Sequence, residues 1–168
     1  IYSVVILVSS FAAFLSWILF KGFHEFYSSL IGIVTVVLFT WVTVHYTSPD
    51  RRPVLEIAEA STTGPATNII FGLGRSFEST VLPLIIFGLA TFLAFHIGGL
   101  YGISLVAVGF LSVDATLIAM ASYGPIVDNA KGLIQFAGFH DEARKVTDTL
   151  DTIGNTTKAV CKVYAIET

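Results

Sequence analysis

The stretch YGPIVDNAKGLIQFAGFHDEARKVTDTLDTIGNTT, residues 123–157, separates two apolar segments and decides how the rest of the chain is interpreted. Charged, turn-forming and small residues are concentrated together here. Asp128 follows one long hydrophobic run, and Asn155 precedes the next. We therefore expect the flanking helices to bring these two polar side chains to the same membrane surface.

Asp128 and Asn155 carry oxygen atoms of the kind that bind hydrated cations. Magnesium prefers carboxylate and amide oxygens, and it usually arrives with a substrate phosphate because it dehydrates reluctantly. Each residue also has an ordinary structural interpretation. Asp128 and Asn129 suit a turn, and Asn155 suits the N-cap of a new helix, so the residue types alone leave both interpretations open.

The composition places the chain among membrane proteins. Hydrophobic residues make up 54% of it, charged residues only 12%, and the mean hydropathy is +0.80, which is typical of a multi-span protein. The net charge of −3 is dispersed and forms no basic stripe, which argues against nucleic acid as a partner. The single cysteine, Cys161, excludes an internal disulfide framework.

The predicted fold is all-α, a polytopic bundle of transmembrane helices with about four full spans and the start of a fifth. The spans are predicted at residues 1–20, 28–45, 66–95, 100–123 and 155–168. Basic residues dominate the polar segments after spans two and four, which predicts that the loops 46–64 and 124–154 are cytosolic. A short helix is expected from Asp141 to Gly154, with Val146 and Ile153 on the face that packs on the membrane core.

Asp114 lies inside the predicted fourth span among Leu, Val and Ile residues. An ionisable residue at membrane depth costs at least ~2.5 kcal/mol on insertion, and by default it is a functional candidate facing the protein interior. The alternative is a carboxyl group that is kept protonated or is hydrogen-bonded to a neighbouring Ser or Thr. Both interpretations stay open.

Two motifs carry a resemblance to a known family. The segments GPIVDNA (124–130) and GNTTKA (154–159) resemble the paired signatures of the membrane-bound, ion-pumping pyrophosphatases, and a second block agrees with RPV (52–54), TGPATNII (63–70) and EST (78–80). The resemblance extends from about Tyr46 onward. The chain begins at Ile1 and has Met120 as its only methionine, so we expect an internal fragment of a larger multi-helix pump.

The resemblance implies a homodimeric pump that couples hydrolysis of magnesium pyrophosphate to proton translocation across a lipid bilayer. Asp128 would match a metal-site and substrate-site aspartate, and Asn155 and Lys162 would match substrate-binding residues. The fragment holds no complete catalytic set. The expected location is the plasma membrane in a prokaryote, or a vacuolar or other acidic endomembrane in a eukaryote.

The position of Lys158 resembles the one that separates two subclasses of this family. Members with alanine at this position require potassium, and members with lysine do not. A lysine ammonium is a tethered point charge that can replace a bound potassium ion. In the first turn of a helix beginning at Asn155, the macrodipole would disfavour Lys158 by ~0.3 to 1 kcal/mol. That penalty predicts an anionic partner for Lys158.

The chain departs from the family pattern at several positions. Ala121 replaces an aspartate, Lys131 a glycine, Gln135 a glutamate, and Val163 and Glu167 small glycines.

Seven residues are close to two helical turns, so Asp114 would lie on the same face as Ala121 and is the candidate for the ion path. The alternatives are a catalytically inactive pump homologue, an unrelated secondary transporter segment and a non-catalytic membrane scaffold.

Overall fold

The computed structural model describes residues 2–139 and 141–167, and it confirms the all-α prediction. Within these residues there is no strand. The helices are α1 (Tyr2–Leu19), α2 (Phe23–Thr47), α3 (Arg52–Ser61), α4 (Pro65–Leu111), α5 (Asp114–Phe136) and α6 (Asp141–Glu167). Three stretches are long and apolar enough to cross a membrane, namely Tyr2–Leu19, Phe23–Ser61 and Pro65–Leu111.

The polar segment 46–64, predicted as a loop, contains the helix α3. Pro53 lies in its first turn, where the missing backbone donor is not needed. Arg52 Nε donates to Glu56 Oε1 at 2.8 Å, an i,i+4 pair that supports a helix. Arg75 of α4 also pairs with Glu56, so these charges fasten α3 to the start of α4.

Helix α4 begins at Pro65, one residue before the predicted span 66–95, and it consists of two arms, 65–97 and 100–111. The backbone leaves the helical region at Gly98 and Gly99, between the predicted spans 66–95 and 100–123. Gly99 has φ +59°, which a glycine adopts without steric cost. A Cβ atom on Gly102 would lie 2.3 Å from the carbonyl oxygen of Ala94, so the two arms pack against each other.

The second arm of α4 packs on α2 through backbone contact. A Cβ atom on Gly109 would lie 2.1 Å from the Ser29 carbonyl oxygen, and one on Gly32 would lie 2.1 Å from that of Val106. Small residues permit such close approach between helices in lipid. The apolar core joins α1, α2, α5, α6 and the second arm of α4 through Val5, Val36, Phe39, Val44, Phe110, Val113, Leu117, Val160 and Tyr164.

We predict that Gly109→Ala destabilises the full-length protein, because the added methyl group would meet backbone atoms of α2. Overpacking of this kind costs about 1 to 3 kcal/mol and should lower the melting temperature in detergent. Gly88→Ala is the matched control, since nothing lies within 4 Å of its Cβ position on the same helix. Equal melting temperatures for the two variants would contradict the contact.

The segment 100–123, predicted as the fourth span, is not one continuous helix. Helix α4 ends at Leu111 and α5 begins at Asp114. At the break, the Tyr164 hydroxyl of α6 donates to the Phe110 carbonyl at 2.6 Å, and the two rings stack with centroids 4.6 Å apart. Val113 is almost fully buried at the break and belongs to the core that Tyr164 shares, so contacts with α6 accompany the break.

The prediction of a short helix ending at Gly154 is also wrong, because α6 continues through Gly154 to Glu167. Asn155 therefore caps no helix. Val146 and Ile153, expected on the packed face, are exposed. The buried face instead follows Thr147, Asp151 and Gly154, an i, i+4, i+7 pattern, because this is the face that α6 turns toward α5.

Candidate functional site

The candidate site lies where α5 and α6 cross at two glycines. A Cβ atom on Gly154 would lie 3.2 Å from Gly124 Cα and 2.7 Å from a methyl group of Val127. A Cβ atom on Gly124 would lie 3.0 Å from the Gly154 carbonyl oxygen. The absence of side chains at both positions therefore brings the two helices into backbone contact.

Lys158 joins the two residues that the motifs single out. Its ammonium donates to Asp128 Oδ2 at 2.6 Å and to Asn155 Oδ1 at 3.5 Å. Its stem crosses over Gly124, because a Cβ atom there would lie 2.5 Å from Lys158 Cγ. The structure thus brings Asp128, Asn155 and Lys158 together across the helix crossing.

The local structure around these residues differs from the predicted one. Asp128 lies inside α5 and not in a turn, and Lys158 lies several turns inside α6 and not in a first turn. The helix macrodipole acts only within the terminal turns, so the dipole argument for Lys158 is wrong. Asp128 nevertheless provides Lys158 with an anionic partner.

Two other predicted residues lie apart from this cluster. Lys162 is exposed one turn further along α6, and among the described residues no hydrogen bond or ion pair joins it to Asp128 or Asn155. Asp114 is half-buried as the first residue of α5, at the break after α4. It lies on the same continuous helix as Ala121, two turns earlier.

The sequence gives no prediction of a second set of ion pairs across the same helices. Lys131 Nζ lies 3.0 Å from Asp148 Oδ1 and 3.0 Å from Asp151 Oδ2. Asp151 is only 8% exposed. The spacing of Thr147, Asp151 and Gly154 is the signal that could have revealed the packed face of α6, and with it a carboxylate that needs a cation from α5.

The ion pairs shift the pKa values of their members. The hydrogen bond from Lys158, reinforced by the charge of its ammonium, lowers the pKa of Asp128 below its ordinary value of 3.8. Hydrogen bonds to Asp151 and then Asp148 raise the pKa of Lys131 above its ordinary value of 10.5. Both shifts favour the charged forms of Asp128 and Lys131.

We predict that the stability contributed by the Asp128–Lys158 pair is lost in acid. A folded-state pKa below the ordinary value means that the contribution is complete above 3.8 and disappears as the pH falls through the folded value. The difference in melting temperature between the parent and Lys158→Met should be constant well above pH 3.8 and shrink as the pH is lowered below it. Lys145→Met, which removes an exposed lysine of α6, serves as the control.

The cluster offers oxygen ligands but no complete metal site. Across residues 2–139 and 141–167, no group of three or more His, Cys, Asp or Glu side chains is arranged to hold a metal ion. Asp128 contributes a carboxylate beside the glycine crossing, its side chain is 57% exposed, and one of its oxygens already accepts from Lys158. Any metal bound here would need ligands from a substrate or from other segments.

Comparison with known proteins agrees with the sequence resemblance. The family model described as inorganic H+ pyrophosphatase matches residues 1–168. A "K(+)-insensitive pyrophosphate-energized proton pump 2" of Moorella thermoacetica is 49% identical over 86% of this chain. A "K(+)-insensitive pyrophosphate-energized proton pump" of Methanosarcina mazei is 47% identical over 84%, and a "Pyrophosphate-energized membrane proton pump 3" of Arabidopsis thaliana is 35% identical over 98%.

The match covers only part of each relative. The aligned region is 23% of the Moorella protein, 22% of the Methanosarcina protein and 23% of the Arabidopsis protein. The chain therefore spans less than a quarter of the length of these relatives.

Proposed function

This chain belongs to the family of inorganic H+ pyrophosphatases, and from this premise we propose that it forms part of a membrane pump that hydrolyses pyrophosphate and translocates protons. The observation that carries the proposal is the cluster in which Lys158 joins Asp128 and Asn155 across the α5–α6 crossing. An unrelated secondary transporter is excluded by the family assignment.

The proposed role of this segment is to bind and orient pyrophosphate at the cytosolic end of the helices. Phosphoryl transfer to water depends on positioning and on neutralising charge more than on covalent catalysis. Lys158 supplies a fixed positive charge, and the Asn155 side-chain amide can donate a hydrogen bond to a phosphate oxygen. Lys162, exposed one turn further on α6, can approach the same ligand from the side.

Magnesium fits this site if Asp128 supplies one ligand and the substrate and other protein segments supply the rest. Mg²⁺ keeps several waters and typically binds one or two carboxylates together with substrate phosphates, and Asp128 presents such a carboxylate with 57% of its side chain exposed. When bound, the ion would neutralise phosphate charge. The remaining protein ligands would come from segments outside this chain.

The proposal includes independence from potassium. The Lys158 ammonium is held 2.6 Å from Asp128 Oδ2, so a single positive charge is already fixed beside the proposed substrate position. A tethered ammonium supplies that charge without an ion from solution. Two of the similar pumps carry names that describe them as K(+)-insensitive, which supports the same proposal here.

The test is pyrophosphate hydrolysis by the full-length protein in membrane vesicles, with and without potassium. We expect the parent to be equally active in both conditions. Lys158→Ala should lose about 100-fold of its potassium-free activity, the order commonly caused by removing one electrostatic stabiliser, and should regain much of it with potassium. Lys145→Ala is the control, and strong potassium activation of the parent would refute the proposal.

Asp114 is proposed to serve the proton path. It is half-buried at the break between α4 and α5, and an ionisable residue at membrane depth is by default a candidate for proton relay. It lies two turns, about 10 Å, from Ala121, where the family pattern has an aspartate. Asp114 would therefore place a carboxylate on the same helix face as position 121, but further from the substrate cluster.

We expect Asp114→Asn to lower the number of protons moved per pyrophosphate hydrolysed, because asparagine cannot exchange a proton. The measurement is proton uptake into vesicles divided by hydrolysis under the same conditions. Asp141→Asn, at the exposed start of α6, is the matched control. A coupling ratio equal to that of the parent would count against a role in the proton path.

The full-length protein is proposed to act as a homodimer, as the family resemblance implies. Many large apolar side chains of α4 are exposed here, among them Ile69, Phe77 and Leu84, and they require lipid or further helices around them. Mass measurement of the purified full-length protein in detergent would test the dimer. A monomeric mass with full activity would contradict it.

A further inference from the structure

Lys131 holds α5 to α6 through two carboxylates. Its ammonium lies 3.0 Å from Asp148 Oδ1 and 3.0 Å from Asp151 Oδ2, while 28% of its side chain remains exposed. Asp151 is buried, and its Oδ1 atom has no hydrogen-bond partner among the described residues. A buried carboxylate without a counter-charge is strongly destabilising, so Asp151 depends on Lys131.

The charges on the two helices are arranged reciprocally. Helix α5 carries Asp128 and Lys131, and α6 carries Lys158 and Asp151, so each helix provides one acid and one base to the other. Wrong rotations of α5 on α6 would bring like charges together or leave Asp151 unpaired. The two pairs therefore select one orientation of the helices.

Asp128 lies between two points at which α5 is fixed. On one side, Gly124 is in contact with Gly154. On the other side, Lys131 lies seven residues from Gly124, about 10 Å along the helix, and is tied to Asp151. Leu117 of α5 shares the apolar core with Val160 and Tyr164 of α6 on the Gly124 side of the crossing. The Lys131 ion pairs add a fixed point beyond Asp128 and so limit how far this part of α5 can move from α6.

We propose that Lys131 is a positioning residue that holds Asp128 and the Lys158 ammonium in place, and so secures the potassium-independent state. The inference rests on the function proposed above for Lys158. Loss of the Lys131 ion pairs lets the two helices move apart beyond the glycine contact, and Asp128 moves with α5. The Lys158 ammonium then leaves the substrate position, where a potassium ion can replace it.

The experiment compares Lys131→Met with Lys131→Arg in the full-length protein, measuring hydrolysis with and without potassium together with the melting temperature. We expect Lys131→Met to lose about tenfold of its potassium-free activity, the size of a typical coupling between contacting residues, and to become potassium-activated. Lys131→Arg should behave like the parent because a guanidinium can pair with both carboxylates. Lys145→Met controls for loss of an exposed lysine.

Asp151→Asn provides a second variant in case Lys131→Met does not fold, since it removes the same ion pair with a side chain of equal size. It should also become potassium-activated. Potassium-independent activity in both variants would overturn the inference, even with a lowered melting temperature, because the role of Lys131 would then be structural only. Potassium activation of the parent would instead refute the proposed role of Lys158.

Discussion

The backbone contact between Gly124 of α5 and Gly154 of α6 is the constraint on which the candidate site depends. Glycine has no side chain, so two helices can approach to backbone contact where their glycines meet. The Lys158 stem occupies the space that a side chain at position 124 would fill. The glycines of the two motifs therefore have a packing role, because they let one lysine reach across to Asp128.

Features set by local sequence were predictable, and features set by contacts between distant segments were not. Hydropathy over long windows identified a helical membrane protein, and it separated the spans 66–95 and 100–123, between which α4 turns at Gly98 and Gly99. Gly154 was misread as a helix end because glycine usually weakens a helix. Its cost is offset by contact with α5, which no local pattern reveals.

The charged partners across α5 and α6 illustrate the same limit. The motifs indicated that Asp128 and Asn155 would lie close together, and the structure places both on the Lys158 ammonium. Lys131 stood out in the sequence only as a departure from the family pattern. Which residues pair with Lys131 depends on the rotation of α6 about its axis. Asp148 and Asp151 face α5 only because the buried side of α6 is the one that follows Thr147, Asp151 and Gly154.

The break between α4 and α5 also affects how the segment can settle in a bilayer. The second arm of α4, residues 100–111, is about 18 Å long and too short to cross a hydrocarbon core of about 30 Å. Phe110 and Val113 at its end are buried in the protein core, where an unsatisfied carbonyl is costly. The Tyr164 hydroxyl of α6 donates to the Phe110 carbonyl, so the end of α4 depends on a helix residue that lies 54 positions later in the chain.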